Sequence, residues 1–148
     1  MPDKDTIERA RKDAREGKAP STQAGEFVRE EMDHIREGKH GARSTKQAIA
    51  IGLSKARRAG VSLPPPKGGA SKTVRTKAAQ DSEAGTSRRA PSPKRSRATT
   101  NALKREGTKA ASKASLSRQA RASASKRGAA NRSSAAKKAA RTRARTSR

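Results

Sequence analysis

The sequence predicts a mostly α protein: a small N-terminal helical module, made of a short helix and an α-hairpin, followed by a long basic tail that is disordered or partly helical. Large apolar side chains recur at helical spacing within the first 63 residues and are rare beyond them. Those residues carry 14 basic and 10 acidic side chains, whereas residues 64–148 carry 24 basic and three acidic ones. High net charge with few large apolar side chains is typical of disordered segments.

The first element, within residues 1–20, is a short charged helix over about residues 3–17 that runs into a linker. Asp5 and Glu8 have the spacing of a capping box at its start. Ile7 and Ala10 form a thin apolar stripe, and Gly17 is a natural C-terminal stop. Because this stripe is so thin, we expect the helix to be marginally stable.

Residues 21–63 are predicted to form the α-hairpin. Residues 18–25 are a linker or a helix start, and the first hairpin helix covers about residues 24–37 and ends before Gly38. The second covers about residues 45–59, from a capping box of Ser44 and Gln47 to Gly60, and three prolines at 64–66 prevent a restart. The predicted core consists of Phe27, Val28, Met32, Ile35, Ile49, Leu53, Val61 and Leu63.

So small a core is marginal without a partner. We therefore expect self-association through the helical module, or docking onto a partner, as ways of adding stability.

Residues 64–93 are interpreted as a linker rich in Pro, Gly and Ser, and residues 94–148 as a tail rich in Ala, Lys, Arg and Ser. Beyond residue 63 the large apolar side chains are Val74, Leu103 and Leu116. Their burial would offset little of the roughly 1–2 kcal/mol of backbone entropy that ordering each residue costs. Because Ala, Lys and Arg are good helix formers, we expect more helix once the charges are neutralised.

Several classes of function find no support in the sequence. The chain has no Cys, so disulfides, Cys-zinc sites and cysteine nucleophiles are excluded. It has no apolar run of the length that a membrane span needs and no apolar N-terminal region typical of a secretory signal, so we expect a soluble intracellular protein. No catalytic or phosphate-binding motif occurs, and we expect no enzyme activity, cofactor, metal or small-molecule substrate. His34 and His40 are expected at the surface, without partners at metal-ligand spacing.

The basic tail is the strongest functional signal. A segment with so large an excess of Lys and Arg is expected to bind the phosphates of nucleic acid through counterion release. The chain lacks Trp and Tyr and has a single Phe, so base stacking is not expected, and binding should tolerate any sequence. The candidate phosphate-contacting residues are Lys55, Arg57, Arg58, Lys94, Arg95, Arg97, Lys104, Arg105, Lys126, Arg127, Lys137, Lys138, Arg141, Arg143 and Arg145.

The block at residues 26–69, with KQAIAIGLSKARRAG at 46–60 as its most recognisable part, resembles a domain of unknown function found in small basic bacterial proteins. That resemblance implies no particular activity. The tail is similar in composition to the tails of linker histones and to bacterial histone-like proteins, which implies that it coats and compacts DNA.

The leading hypothesis is thus a nucleoid-associated protein of the cytoplasm that binds DNA without sequence preference. One alternative is association with RNA or the ribosome, because the same charges would serve. Another is an adaptor whose N-terminal helices bind a protein partner. The acidic residues of the first hairpin helix are interpreted as surface groups that aid solubility and suit the helix dipole, with binding of the chain's own tail as the alternative. These are Glu26, Glu30, Glu31, Asp33 and Glu37.

Overall fold

The structure is a computed structural model that describes residues 1–67, 69–87, 90 and 92–146. Within these ranges the chain is mostly α, as predicted, and contains no strand. It divides into two compact units, Met1–Ser112 and Lys113–Arg148. The helices are α1 (Lys4–Arg15), α2 (Pro20–Arg36), α3 (Thr45–Arg58), α4 (Lys72–Thr86), α5 (Pro93–Lys104), a short 3-10 helix (Lys109–Ala111), α6 (Lys113–Lys126) and α7 (Gly128–Thr146).

The predicted helix ends are confirmed. Gly17, Gly38 and Gly60 follow α1, α2 and α3 with φ of 71°, 73° and 93°, a left-handed conformation that favours glycine. At the start of α3, the Ser44 side chain accepts a hydrogen bond from the Gln47 backbone N–H at 3.2 Å, as the capping box predicts. The start predicted for α2 is about four residues too late, because the helix begins with Pro20, whose fixed φ suits a first helical position.

The core of the first unit lies between α1, α2 and α3. Phe27, Met32 and Ile35 are buried as predicted, whereas Val28 and Ile49 are only half-buried. Helix α1 is more firmly held than its sequence suggests, because it packs on α2 and contributes to one apolar cluster. This cluster contains buried Ala10, Ala24, Phe27 and Ala56, with Ile7, Leu53, Val61 and Leu63 packed against it.

Helices α2 and α3 approach each other most closely at Gly52 of α3. A Cβ atom placed on Gly52 would lie 2.7 Å from Cα of Val28 in α2, which is too short for two carbon atoms that are not bonded. The absence of a side chain at Gly52 therefore sets the distance between the two helices.

Helix α4 lies in the segment that was predicted to be a linker. Its Asp81 is 2% exposed and accepts hydrogen bonds from Ser54 Oγ at 2.6 Å and Arg58 Nε at 2.9 Å, both on α3. Lys77 Nζ of α4 lies 3.3 Å from the same carboxylate. Helix α4 is held to α3 by a buried acid and small residues, and not by a stripe of large apolar side chains of the kind that sequence patterns reveal.

Burial alone would raise the pKa of Asp81. The hydrogen bonds from Ser54, Arg58 and Lys77 outweigh that effect, so the pKa lies below its ordinary value of 3.8. Asp81 is therefore charged in the folded protein over the physiological pH range.

The prediction of a disordered tail is wrong for the described residues, and the partly helical alternative is closer. Alanine, lysine and arginine favour helix, and α5, α6 and α7 occupy most of residues 93–146. Residues 103–111 also dock on the hairpin. Thr45 Oγ1 donates to the carbonyl of buried Ala110 at 2.6 Å, and Gly41 N–H donates to the carbonyl of Leu103 at 2.9 Å.

None of the helices in the described ranges combines the length and the apolar character that a membrane crossing requires.

Replacing Gly52 by Ala should lower the free energy of unfolding by about 1–3 kcal/mol, since the new methyl group forces α2 and α3 apart. Gly25, inside α2, is the matched control because a Cβ there meets nothing within 4 Å. Gly25→Ala should raise the free energy of unfolding by about 0.5–1 kcal/mol through helix propensity. Urea unfolding measures both, and equal effects of the two substitutions would contradict the close packing.

Asp81→Ala should lower the free energy of unfolding by about 1.5–3 kcal/mol at neutral pH, because it removes charged hydrogen bonds between α4 and α3. Exposed Glu83 of the same helix is the control, and Glu83→Ala should change stability by at most about 0.5 kcal/mol.

The loss of stability caused by Asp81→Ala should also depend on pH, and it should become smaller at acidic pH. The pKa of Asp81 is lower in the folded state than in the unfolded state. The carboxylate's contribution to the free energy of unfolding is therefore fully present above the ordinary pKa of 3.8 and disappears as pH falls through the folded-state pKa. A difference between Asp81→Ala and the parent that stays constant down to the most acidic pH at which the protein folds would contradict this assignment.

Candidate nucleic-acid interface

The candidate phosphate-contacting residues fall into two environments. Lys55, on α3, points into the first unit, where its Nζ lies 3.2 Å from Glu30 Oε1 and 2.8 Å from Glu31 Oε2 of α2. The side chains of these acids are 3% and 0% exposed. Lys55 thus neutralises buried carboxylates, and its charge is not free to contact phosphate.

The two arginines of α3 are also engaged within the first unit or partly buried. Arg58 donates to buried Asp81. Arg57 is half-buried, and its Nε lies buried with no hydrogen-bond partner among the described residues. The candidate residues on α3 are therefore largely occupied by contacts inside the protein, whereas Lys46 of the same helix is exposed.

The other twelve candidate residues are all exposed. Within the described ranges, none of them forms an ion pair. They lie on α5 and just after it, at the junction of α6 and α7, and along α7, in this order: Lys94, Arg95, Arg97, Lys104, Arg105, Lys126, Arg127, Lys137, Lys138, Arg141, Arg143 and Arg145.

Helix α7 concentrates positive charge without any acid to balance it. The sequence contains no Asp or Glu after Glu106. With 19 residues, α7 is about 28 Å long. Its Lys137, Arg141 and Arg145 stand four residues apart, and each like-charged pair at this spacing opposes the helix by about 0.2–0.5 kcal/mol. A polyanion that neutralises these charges would remove that repulsion and stabilise the helix.

The first unit contains a second cluster of potentially functional side chains, which was not predicted from the sequence. Glu30 and Glu31 were interpreted as surface groups but are buried, because both face inward from α2 toward Lys55. His34 and His40 were expected at the surface, yet their side chains are only 13% and 15% exposed. Their rings stand nearly perpendicular with centroids 6.2 Å apart. Glu30 and Glu31 precede His34 by four and three residues, so all three lie on one helix face. This spacing was the signal in the sequence that pointed to the cluster.

Residues 20–67 match the model of a family described as "Family of unknown function (DUF6496)". This agrees with the resemblance of residues 26–69 to a domain of unknown function. The matched range contains α2, α3 and the turn between them, and it leaves out α4 and the basic helices α5–α7. Comparisons with curated proteins and with solved structures found no match.

Lys55→Gln should destabilise the protein by about 3–5 kcal/mol, because it leaves two buried carboxylates without their cation. Lys46, exposed on the same helix, is the matched control, and Lys46→Gln should have an effect within about 0.5 kcal/mol. Chemical unfolding at neutral pH measures both variants. Similar, small effects at the two positions would show that Lys55 is not needed by the buried acids.

Proposed function

We propose that this protein binds the backbone of nucleic acid, DNA in the first instance, without sequence preference, as a nucleoid-associated protein does. The contacts are made by the exposed basic residues of α5, α6 and α7. The observation that carries the proposal is the division of the candidate cations into two groups. Those on α3 are largely held within the protein, whereas the twelve on or directly beside the later helices are exposed and form no ion pair among the described residues.

Counterion release supplies the driving force. Duplex DNA presents about one negative charge per 1.7 Å of its axis, so a helix of about 28 Å lies beside roughly 16 phosphate charges. Several Lys and Arg side chains on α7 then find partners at once, and each contact adds about 0.9 to the slope of log affinity against log salt.

A duplex is favoured over a single strand as the binding partner. Single-stranded nucleic acid is usually held by bases stacked on aromatic side chains. Of Phe, Trp and Tyr the chain has a single residue, Phe27, and it is buried in the core at 1% exposure. Phosphate contacts along a duplex need no aromatic surface.

The test is the salt dependence of binding to a random DNA duplex, measured by fluorescence anisotropy with the full chain. Replacing Lys137, Lys138, Arg141 and Arg145 by Gln should weaken binding and reduce the magnitude of the salt slope by about 3–4, at 0.9 per lost contact. The matched control replaces four exposed cations of the first unit by Gln: Lys4, Arg11, Arg15 and Lys46.

Both quadruple variants lose the same net charge, so general electrostatic attraction falls equally in the two. The proposal requires the α7 variant to lose much more of the slope than the control. Equal losses, or an affinity that hardly responds to salt, would contradict it. A parallel titration with an RNA duplex distinguishes the two nucleic acids. Clearly tighter binding to RNA would make RNA, and not DNA, the proposed partner.

A further inference from the structure

We propose that Glu31, His34 and His40 form a binding site for a divalent transition-metal ion such as Zn²⁺, with Glu30 as a fourth ligand. One ligand atom from each of the first three residues lies within 4.8 Å of the others. Two imidazoles and a carboxylate, completed by a second carboxylate, are a donor set that zinc accepts in tetrahedral geometry. This site is independent of the basic helices and goes beyond nucleic-acid binding.

The fold brings these residues together through α2 and the turn that follows it. Glu30, Glu31 and His34 share the inward face of α2. The helix ends in a glycine cap in which Gly38 N–H donates to the Ile35 carbonyl and Lys39 N–H donates to the His34 carbonyl, at 3.1 and 3.0 Å. This cap reverses the chain, and His40 returns to the end of the helix, with its Nε2 3.4 Å from Glu31 Oε1.

The carboxylate of Glu31 is the strongest indication of a ligand. Its side chain is 0% exposed, and neither oxygen receives a hydrogen bond from any described residue. Oε2 has an ion pair with Lys55 Nζ at 2.8 Å, and Oε1 has His40 Nε2 at 3.4 Å. A buried carboxylate in this state gains from a cation that binds its oxygen lone pairs directly.

Both imidazoles have partners that would orient them toward a metal. His40 Nδ1 lies 3.2 Å from the Gly41 carbonyl, and His34 Nε2 lies 3.3 Å from Asp3 Oδ2. When these nitrogens carry the protons, the lone pairs fall on His40 Nε2, which faces Glu31, and on His34 Nδ1, which lies 4.0 Å from Glu30 Oε1. Metal-bound histidines generally donate their second N–H to a carbonyl or carboxylate in this way.

The charges of the cluster also favour a cation. Three carboxylates, those of Asp3, Glu30 and Glu31, lie beside the Lys55 ammonium and two imidazoles. In the absence of metal, the Lys55 ammonium is the cation that balances these carboxylates. Because the Lys55 side chain is 22% exposed, its ammonium can move into solvent when a metal ion binds Glu31. Mg²⁺ and Ca²⁺ prefer all-oxygen sites, and we expect them to compete poorly here.

The test uses the full chain without a histidine tag, treated with a chelator and then titrated with Zn²⁺. The sequence contains two His and no Cys, so a histidine–metal signal comes from His34 and His40 alone. We expect 1:1 binding by calorimetry, shifts of both imidazole ¹⁵N resonances at one equivalent of Zn²⁺, and an intense visible spectrum typical of tetrahedral sites with Co²⁺. Imidazole resonances that do not move at one equivalent would overturn the site, and this measurement needs no variant.

Variants separate the site from adventitious binding. His40→Gln should weaken Zn²⁺ binding at least tenfold. The matched control changes two acids of the same region outside the cluster, Asp33→Asn with Glu37→Gln, and should leave the affinity within about twofold. Both circular dichroism and melting must first show that each variant folds. Binding that survives in His34→Gln/His40→Gln would assign the metal to surface acids and contradict the proposal.

Lys55→Gln gives a readout that a merely structural cluster would not show. With the ammonium removed, Zn²⁺ should raise the melting temperature of Lys55→Gln by more than that of the parent, because the metal replaces the missing cation. If Zn²⁺ raised the melting temperature of Lys55→Gln by the same amount as that of the parent, or by less, the proposal that the metal replaces the Lys55 ammonium would be contradicted.

Discussion

The fold of the first unit depends on two adjacent carboxylates, Glu30 and Glu31, buried between α2 and α3. Removing two charges from water costs several kcal/mol for each ion unless a cation is close. Lys55 of α3 supplies that cation, so the two helices must pack in one register. Gly52 allows their backbones to approach at this register, and the backbone N–H of Asp3 donates to Glu30 Oε2 at 3.1 Å, which ties the start of α1 to the same cluster.

The candidate phosphate-contacting residues accordingly divide between two roles. Lys55 and Arg58 each neutralise an acid that is buried between helices, and through Asp81 this extends the first unit to α4. The cations of α5, α6 and α7 face solvent, and no acid follows Glu106 in the sequence to balance those of the last two helices. The net charge of the chain does not distinguish these roles, because a lysine inside an ion cluster and a lysine on an exposed helix each add one positive charge to it. The proposed binding of nucleic acid rests on the second group alone.

The features that could be predicted from the sequence are those set by neighbouring residues. The glycine ends of three helices and the Ser44 cap follow from backbone conformation and local hydrogen bonds, and the apolar spacing of α2 and α3 located most of the core. The position of α4, the burial of Glu31 and the pairing of His40 with it depend on contacts between segments far apart in the sequence. Polar residues on a helix look like surface residues until the opposing helix is known, so the spacing of Glu30, Glu31 and His34 did not by itself show that they are buried or that His40 lies beside them.

The central claim is that Lys55 and Arg58 support the fold of the first unit, whereas the exposed cations of α5, α6 and α7 bind a polyanion, as proposed above. Amide hydrogen exchange on the full chain, with and without duplex DNA, tests it most directly. We expect α2 and α3 to be the most protected helices in the free protein and to change little on adding DNA, while residues 113–146 gain protection. Protection gained mainly in α1–α3, with none in α6 and α7, would contradict the account.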